Sequence, residues 1–177
     1  DAFLERLENK EEVGVSFGEA GIDINGEKIK TFPFMSSNIL GVKHGTLNCW
    51  AAHSGAGKST YMITVLMSLI SQGERFTVVT NESSVSDVKI QFLVWVLTRC
   101  LNYWEISKKK LSSGNLSDKD RQKIKEARKY WKENYAKSVK ITSLSDADAR
   151  LTCQIIKKDI TRGGYSGFLV DTFKLSM

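Results

Sequence analysis

The chain has 177 residues, 41% of them hydrophobic and 26% charged, with a net charge of +6. That length allows about one domain, able to bury roughly 70% of its unfolded surface without covalent staples. The composition excludes a disordered or fibrous chain, and no apolar run reaches the ~18 residues of a membrane span.

A pI near 9.2 is compatible with a polyanionic partner but does not demand one. The three cysteines, Cys49, Cys100 and Cys153, are odd in number and scattered. They form no disulfide or metal framework and are expected as buried thiols in a reducing compartment. The opening stretch "DAFLERLENK" lacks the apolar core of a secretion signal, so a cytoplasmic location is expected. The chain begins without Met and stops just past an expected strand, which suggests a piece of a longer protein.

Taken in order, Asn25-Gly26 lies between two short alternating stretches and predicts a hairpin. An irregular segment around Pro33 follows. "TLNCWA" (46–51) is nearly all apolar and predicts a strand covered on both faces. "STYMITVLMSLISQG" (59–73) predicts a helix stopped at Gly73, and "FTVVT" (76–80) a second buried strand with "NESS" at its carboxyl end. "SDVKIQFLVWVLTRCLNYW" (86–104) predicts a helix capped by Ser86, with Val88, Phe92, Trp95 and Val96 facing the core.

The run Lys108 to Lys110 predicts a solvated loop. Ser117 with Asp120 then caps a helix whose Ile124, Ala127, Trp131 and Tyr135 share one face. "SVKIT" (138–142) predicts a short strand. Ser145 with Asp148 predicts the cap of another helix, turning Leu151, Ile155 and Ile160 inward until Gly163-Gly164 ends it. "GFLVD" (167–171) closes the series. Strands alternating with helices predict an α/β fold with a mostly parallel sheet between helix layers.

Between the strand at 46–51 and the helix from 59 stands "AAHSGAGKST", residues 51 to 60. Ala52 precedes Gly57-Lys58-Ser59 by the spacing of a P-loop, with Ala in place of its first glycine. Glycines let backbone N–H groups turn inward on phosphate oxygens, and the following helix aims its positive dipole end at the same anion. In such a loop Lys58 reaches the β- and γ-phosphates and Ser59 ligates Mg²⁺. A plain glycine turn is the alternative, which the flanking strand and helix disfavour. The expected nucleotide-binding segment is Ala52, His53, Ser54, Gly55, Ala56, Gly57, Lys58, Ser59 and Thr60.

Two acids stand at strand ends. Asp171 closes "GFLVD" as the aspartate of a Walker B strand, placed to orient Mg²⁺. Glu82 follows "FTVVT" and is placed to polarise an attacking water. In an open α/β sheet, ligands bind beyond the carboxyl ends of the strands. His44 and His53 lack partners for a metal or nucleophile set.

Over residues 38 to 177 the wording resembles the RecA-type ATPase domain of DnaB-type replicative DNA helicases, bacterial or phage. The resemblance lies in "GTLNCWAAHSGAGKST", "FTVVTNES", the polar insertion "SGNLSDKDRQKI" and "FLVDTFKLSM". It implies a RecA-like P-loop NTPase truncated shortly after its Walker B strand, with residues 1–37 as a linker and hairpin region. It gives Lys58 and Ser59 to ATP·Mg²⁺, Glu82 to the general base and Asp171 to the metal. It also implies homo-hexameric rings around single-stranded DNA, with a primase or helicase loader as possible partner and no membrane.

Family members carry Gln where this chain has Lys174, a position that senses the γ-phosphate. Their DNA-binding loops and arginine finger lie beyond Met177, so weak turnover is expected of this chain. RecA-like recombinases and KaiC-like signalling ATPases share the loop, the glutamate and the Walker B strand. A non-catalytic nucleotide switch, such as a helicase loader or phage assembly factor, shares the loop but can dispense with Glu82.

Overall fold

The computed structural model describes residues 14–32, 41–43, 45–51, 53, 55–81, 83–144 and 149–171. A hairpin comes first, β1 (Glu19–Ile22) antiparallel to β2 (Lys28–Lys30). Asn25-Gly26 sits in its turn, which spans residues 23–27 and is closed by the Asp23 N–H on the Glu27 carbonyl at 2.8 Å. Asp23 also accepts from the amides of Asn25 and Glu27 through Oδ1, as turn-forming Asp side chains do.

Helix α1 (Lys58–Ser71) is buried along almost its whole second half, including the consecutive run Met67 to Ile70. A helix apolar all round must be covered all round. Here the hairpin supplies the outer cover, with Ala20 and Ile29 buried in the same core as Leu66 and Met67. Ser68 donates its hydroxyl to the Glu19 carbonyl, which fixes hairpin to helix. The helix ends with Gly73 N–H on Ile70 O and Glu74 N–H on Leu69 O, the paired bonds of a Schellman stop.

Strand β3 (Phe76–Thr80) is the centre of a three-stranded parallel sheet of order β4-β3-β5, flanked by helices. Its partners are β4 (Val139–Ser143) and β5 (Gly167–Asp171), both in unbroken register. The fold is therefore mixed α/β with a parallel sheet, the class that the alternation of segments predicts.

Helix α2 (Val85–Trp95) buries Val88, Phe92 and Trp95 as expected. Two details of that segment differ from the sequence reading. Its cap is Ser84, whose side chain accepts the Asp87 N–H, so Ser86 lies inside the first turn. The helix also stops at Trp95 and passes into a π-helical turn, Val96–Cys100, closed by Leu101 N–H on Val96 O at 3.0 Å. The wider turn uses up an extra residue and re-aims the chain. Asn102 then takes a positive φ of 51°. Tyr103 and Trp104 leave the helix, and Trp104 is exposed beside Arg99.

Lys108–Ser113 forms a short helix, α3, rather than a loop. Ser107 caps it, and Lys110 is drawn in to the buried Asp120 at 2.8 Å. Helix α4 (Asp118–Asn134) carries the full capping box of Ser117 and Asp120. Ala127 and Tyr135 are buried in the main core and Ile124 and Trp131 pack against it, the predicted face.

Helix α5 (Ala149–Gly163) turns Thr152 and Asp159 inward. Leu151 and Ile160 are exposed, against expectation; nine residues apart, they lie on opposite sides of α5 and flank the inward face made by Thr152 and Asp159. Asp159 accepts from the Thr77 hydroxyl at 2.8 Å and from Lys140 at 2.6 Å, so polar groups anchor α5 to the sheet. The expected Ser145–Asp148 cap lies outside the described residues. Only Cys100 is buried; Cys49, in the segment before α1, and Cys153, on α5, are exposed, against expectation.

Candidate nucleotide site

The site is organised by the entry to α1. Gly57 is its N-cap residue, at φ 86°, and Gly55 has φ 80°. Ala56 between them keeps the ordinary negative sign, because Asn102 is the only non-glycine at positive φ among the described residues. Backbone of alternating hand turns successive N–H groups toward one point, the geometry of an anion nest. The Ala56 N–H to His53 carbonyl bond, 3.2 Å, closes the bend. A β-carbon at Gly55 or Gly57 would meet nothing within 4 Å, so the glycines serve backbone conformation and leave open space in front.

No side chain caps α1, and its first turn carries no acid. The orphan amides and positive dipole end of a 14-residue helix therefore meet no acid from the helix's own cap or first turn. Lys58 and Ser59, both half-buried, are the first two helical residues. No acid among the described residues pairs with Lys58.

Lys58 lines a mostly apolar cavity of about 750 Å³ together with Ala51, Leu66 and the β5 residues Gly167 to Val170. Asp171 is the next residue along β5, buried, at the carboxyl end of the strand and in register with Thr80. Thr80 is fully buried; its hydroxyl donates to the Ser83 carbonyl at 2.7 Å and accepts the Ser83 N–H at 3.2 Å. Ala52, Ser54, Glu82, Lys174 and His44 lie outside the described residues. His53 and Thr60 are exposed.

No protein-family model and no curated protein matches this chain.

The segment before the loop departs from expectation. Residues 46–51 belong to no ladder and are all exposed, with Leu47 at 77%. A strand forms only where a neighbour takes its hydrogen bonds. Here the cavity lies between this segment and the edge of β5. The segment is held by aromatic contacts instead. Trp50 meets Tyr61 edge-on at 4.7 Å, and Tyr61 leans on Phe32 at the same distance. Burial pushes the Tyr61 hydroxyl pKa upward.

Tyr61 and Thr80 are site-positioning residues that the sequence reading missed. The available signals were an aromatic one turn past Lys58 and a hydroxyl ending an otherwise apolar strand. Among the described residues no three His, Cys, Asp or Glu side chains converge on a metal. A Mg²⁺ shared with phosphates needs only one or two carboxylates and keeps its waters. The Ser59 hydroxyl and the Asp171 carboxylate are suitable donors for such an ion.

Proposed function

We propose that this chain is the ATP-binding core of a RecA-like motor of the DnaB helicase type, hydrolysing ATP to move along single-stranded DNA as a ring hexamer. The observation that carries the reading is the entry to α1. Two left-handed glycines, an uncapped helix N-terminus and an acid-free Lys58 sit at one point. Each of these features favours a phosphate, and together they lack any counter-charge of their own among the described residues.

In this reading the amides of Gly55, Gly57 and Lys58 bind phosphate oxygens, the Ala56 amide being held by the His53 carbonyl, and Lys58 reaches the β- and γ-groups. Ser59 and Asp171 would hold Mg²⁺, which would supply positive charge against that developing on the phosphate. Glu82 accepts the proton of the attacking water. The sequence resemblance supports the choice of helicase within this class, and the parallel sheet with Asp171 at a strand end is compatible with it.

The test is equilibrium binding of a fluorescent ATP analogue with Mg²⁺. Hydrogen bonds to charged groups are worth about 1.5–3 kcal/mol, so Lys58→Ala should weaken binding by about tenfold or more. Undiminished affinity would overturn the assignment. Glu82→Gln should keep nucleotide bound while abolishing its turnover.

A further inference from the structure

Helix α4 carries seven cations and four acids. The acids are mostly engaged or displaced from the outer face. Asp120 is buried on Lys110, and Glu126 pairs with Lys123 at 2.6 Å. Lys119 is taken by Glu105 at 2.7 Å. Five cations remain exposed with no ion pair among the described residues: Arg121, Lys125, Arg128, Lys129 and Lys132.

Their spacings of three and four place them in one stripe, within an arc of about 100° at 100° per residue. The stripe runs about 16 Å, at a rise of about 1.5 Å per residue. Asp118 is the one acid on that line, at its amino end. Glu133 and Glu126 bound it along one side. The helix beneath is anchored by Phe92 against Trp131 at 4.8 Å and by the Tyr130 hydroxyl on the Ile22 carbonyl at 3.1 Å.

We propose that this stripe is a track for the phosphate backbone of a single nucleic-acid strand. Like charges held on one face of a rigid rod repel one another, and a regularly spaced polyanion relieves that repulsion by releasing its counterions. The track is narrow, within about 100° of the helix surface, and Glu126 and Glu133 border it on one side. A duplex needs basic surface for a second backbone beside the first and would meet these acids on that side, which favours one strand over two. The stripe shares no residue with the candidate nucleotide site, and binding to it requires no nucleotide.

The experiment is fluorescence anisotropy with a labelled oligothymidylate, without nucleotide, across a salt series. K125E/K129E should weaken binding by about tenfold or more at low salt. It should also flatten the slope of log affinity against log salt by about 1.4, at about 0.7 per phosphate contact on a single strand. A charge-matched control on α5, K157E/R162E, should change neither by a comparable amount. Equal losses in both variants would overturn the track in favour of diffuse attraction. Tighter binding of the matching duplex or of polyglutamate would overturn the choice of partner. Because nucleotide is absent, these outcomes are independent of whether ATP binds at Lys58.

Discussion

Thr80 and Asp171 stand side by side at the carboxyl ends of β3 and β5, paired in parallel register. The pairing sets the level at which the sheet ends, and the Thr80 hydroxyl ties that level to Ser83 on the way into α2. The proposed metal carboxylate thus lies level with the end of β3, where the chain turns toward α2.

Thr80→Val keeps the shape of the buried side chain and removes its hydroxyl. Two bonds to Ser83 are lost, and stability should fall by about 1–3 kcal/mol, the cost of leaving buried polar groups unmatched. Urea denaturation measures this. If the tie positions the base, ATP turnover should fall while nucleotide affinity stays constant. A variant as stable as the parent would show that the bonds contribute nothing.

Gly57→Ala separates backbone strain from steric clash. The added methyl would meet nothing within 4 Å, but it would sit on a residue at φ 86°. The left-handed conformation costs a non-glycine residue about 1–2 kcal/mol. The melting temperature should drop accordingly. Nucleotide affinity should drop as well, because relaxing φ turns the local amides away from the nest. A drop in stability with unchanged nucleotide binding would refute the nest.

The parts legible in the sequence were those set by short-range physics. Helix α4 was readable because Ser117 and Asp120 satisfy each other's backbone, and β3 and β5 because five-residue apolar runs flank them with helical patterns. Ser84 and Ser86 are indistinguishable as caps in the sequence, since each stands just before the apolar-periodic run that begins at Val85 and Val88. The segment 46–51 was misread for a deeper reason. Its apolar character says that it would suit a buried strand, but whether a neighbour is present to pair with it is a tertiary fact. The same holds for Leu151, Ile160, Cys49 and Cys153, whose periodicity or apolar setting cannot report that the fold leaves them exposed. At the site, Lys58 and Asp171 follow from local pattern, whereas Tyr61 and Thr80 act through contacts with residues distant in sequence or across a turn.

Acid should expose the Asp120 network. Lys110, 2.8 Å away, Tyr103 at 2.7 Å and the Ser117 amide and hydroxyl at 2.8 Å all favour the charged carboxylate. Lys110 is the largest influence, and together these partners hold the Asp120 pKa well below the ordinary carboxylate range. A depressed folded-state pKa contributes stability that is present above the unfolded value of about 4 and lost as pH falls through the folded value. The urea midpoint should therefore hold from neutrality to about pH 5 and decline below about pH 4. Asp120→Asn should be less stable at neutral pH and show a shallower acid decline. Parallel declines in the two proteins would place the acid sensitivity elsewhere.

Thiol chemistry reads both the core and the site. Cys100 is fully buried, and burial pushes its thiol pKa up to about 12, so it stays protonated and shielded. Cys49 and Cys153 are exposed. Ellman's reagent should titrate two thiols quickly and the third only after unfolding; three fast thiols would mean that the core around Cys100 opens. Cys49 lies on the wall of the cavity that Lys58 also lines, whereas Cys153, exposed on α5, is not part of that wall. With Cys153→Ser, Mg²⁺ and ATP should slow modification of Cys49; with Cys49→Ser, they should leave Cys153 unchanged. Protection confined to Cys49 would link the unpaired segment 46–51 to nucleotide binding at α1. Equal rates with and without nucleotide would separate the two, and the aromatic contact of Trp50 with Tyr61 would then be purely structural.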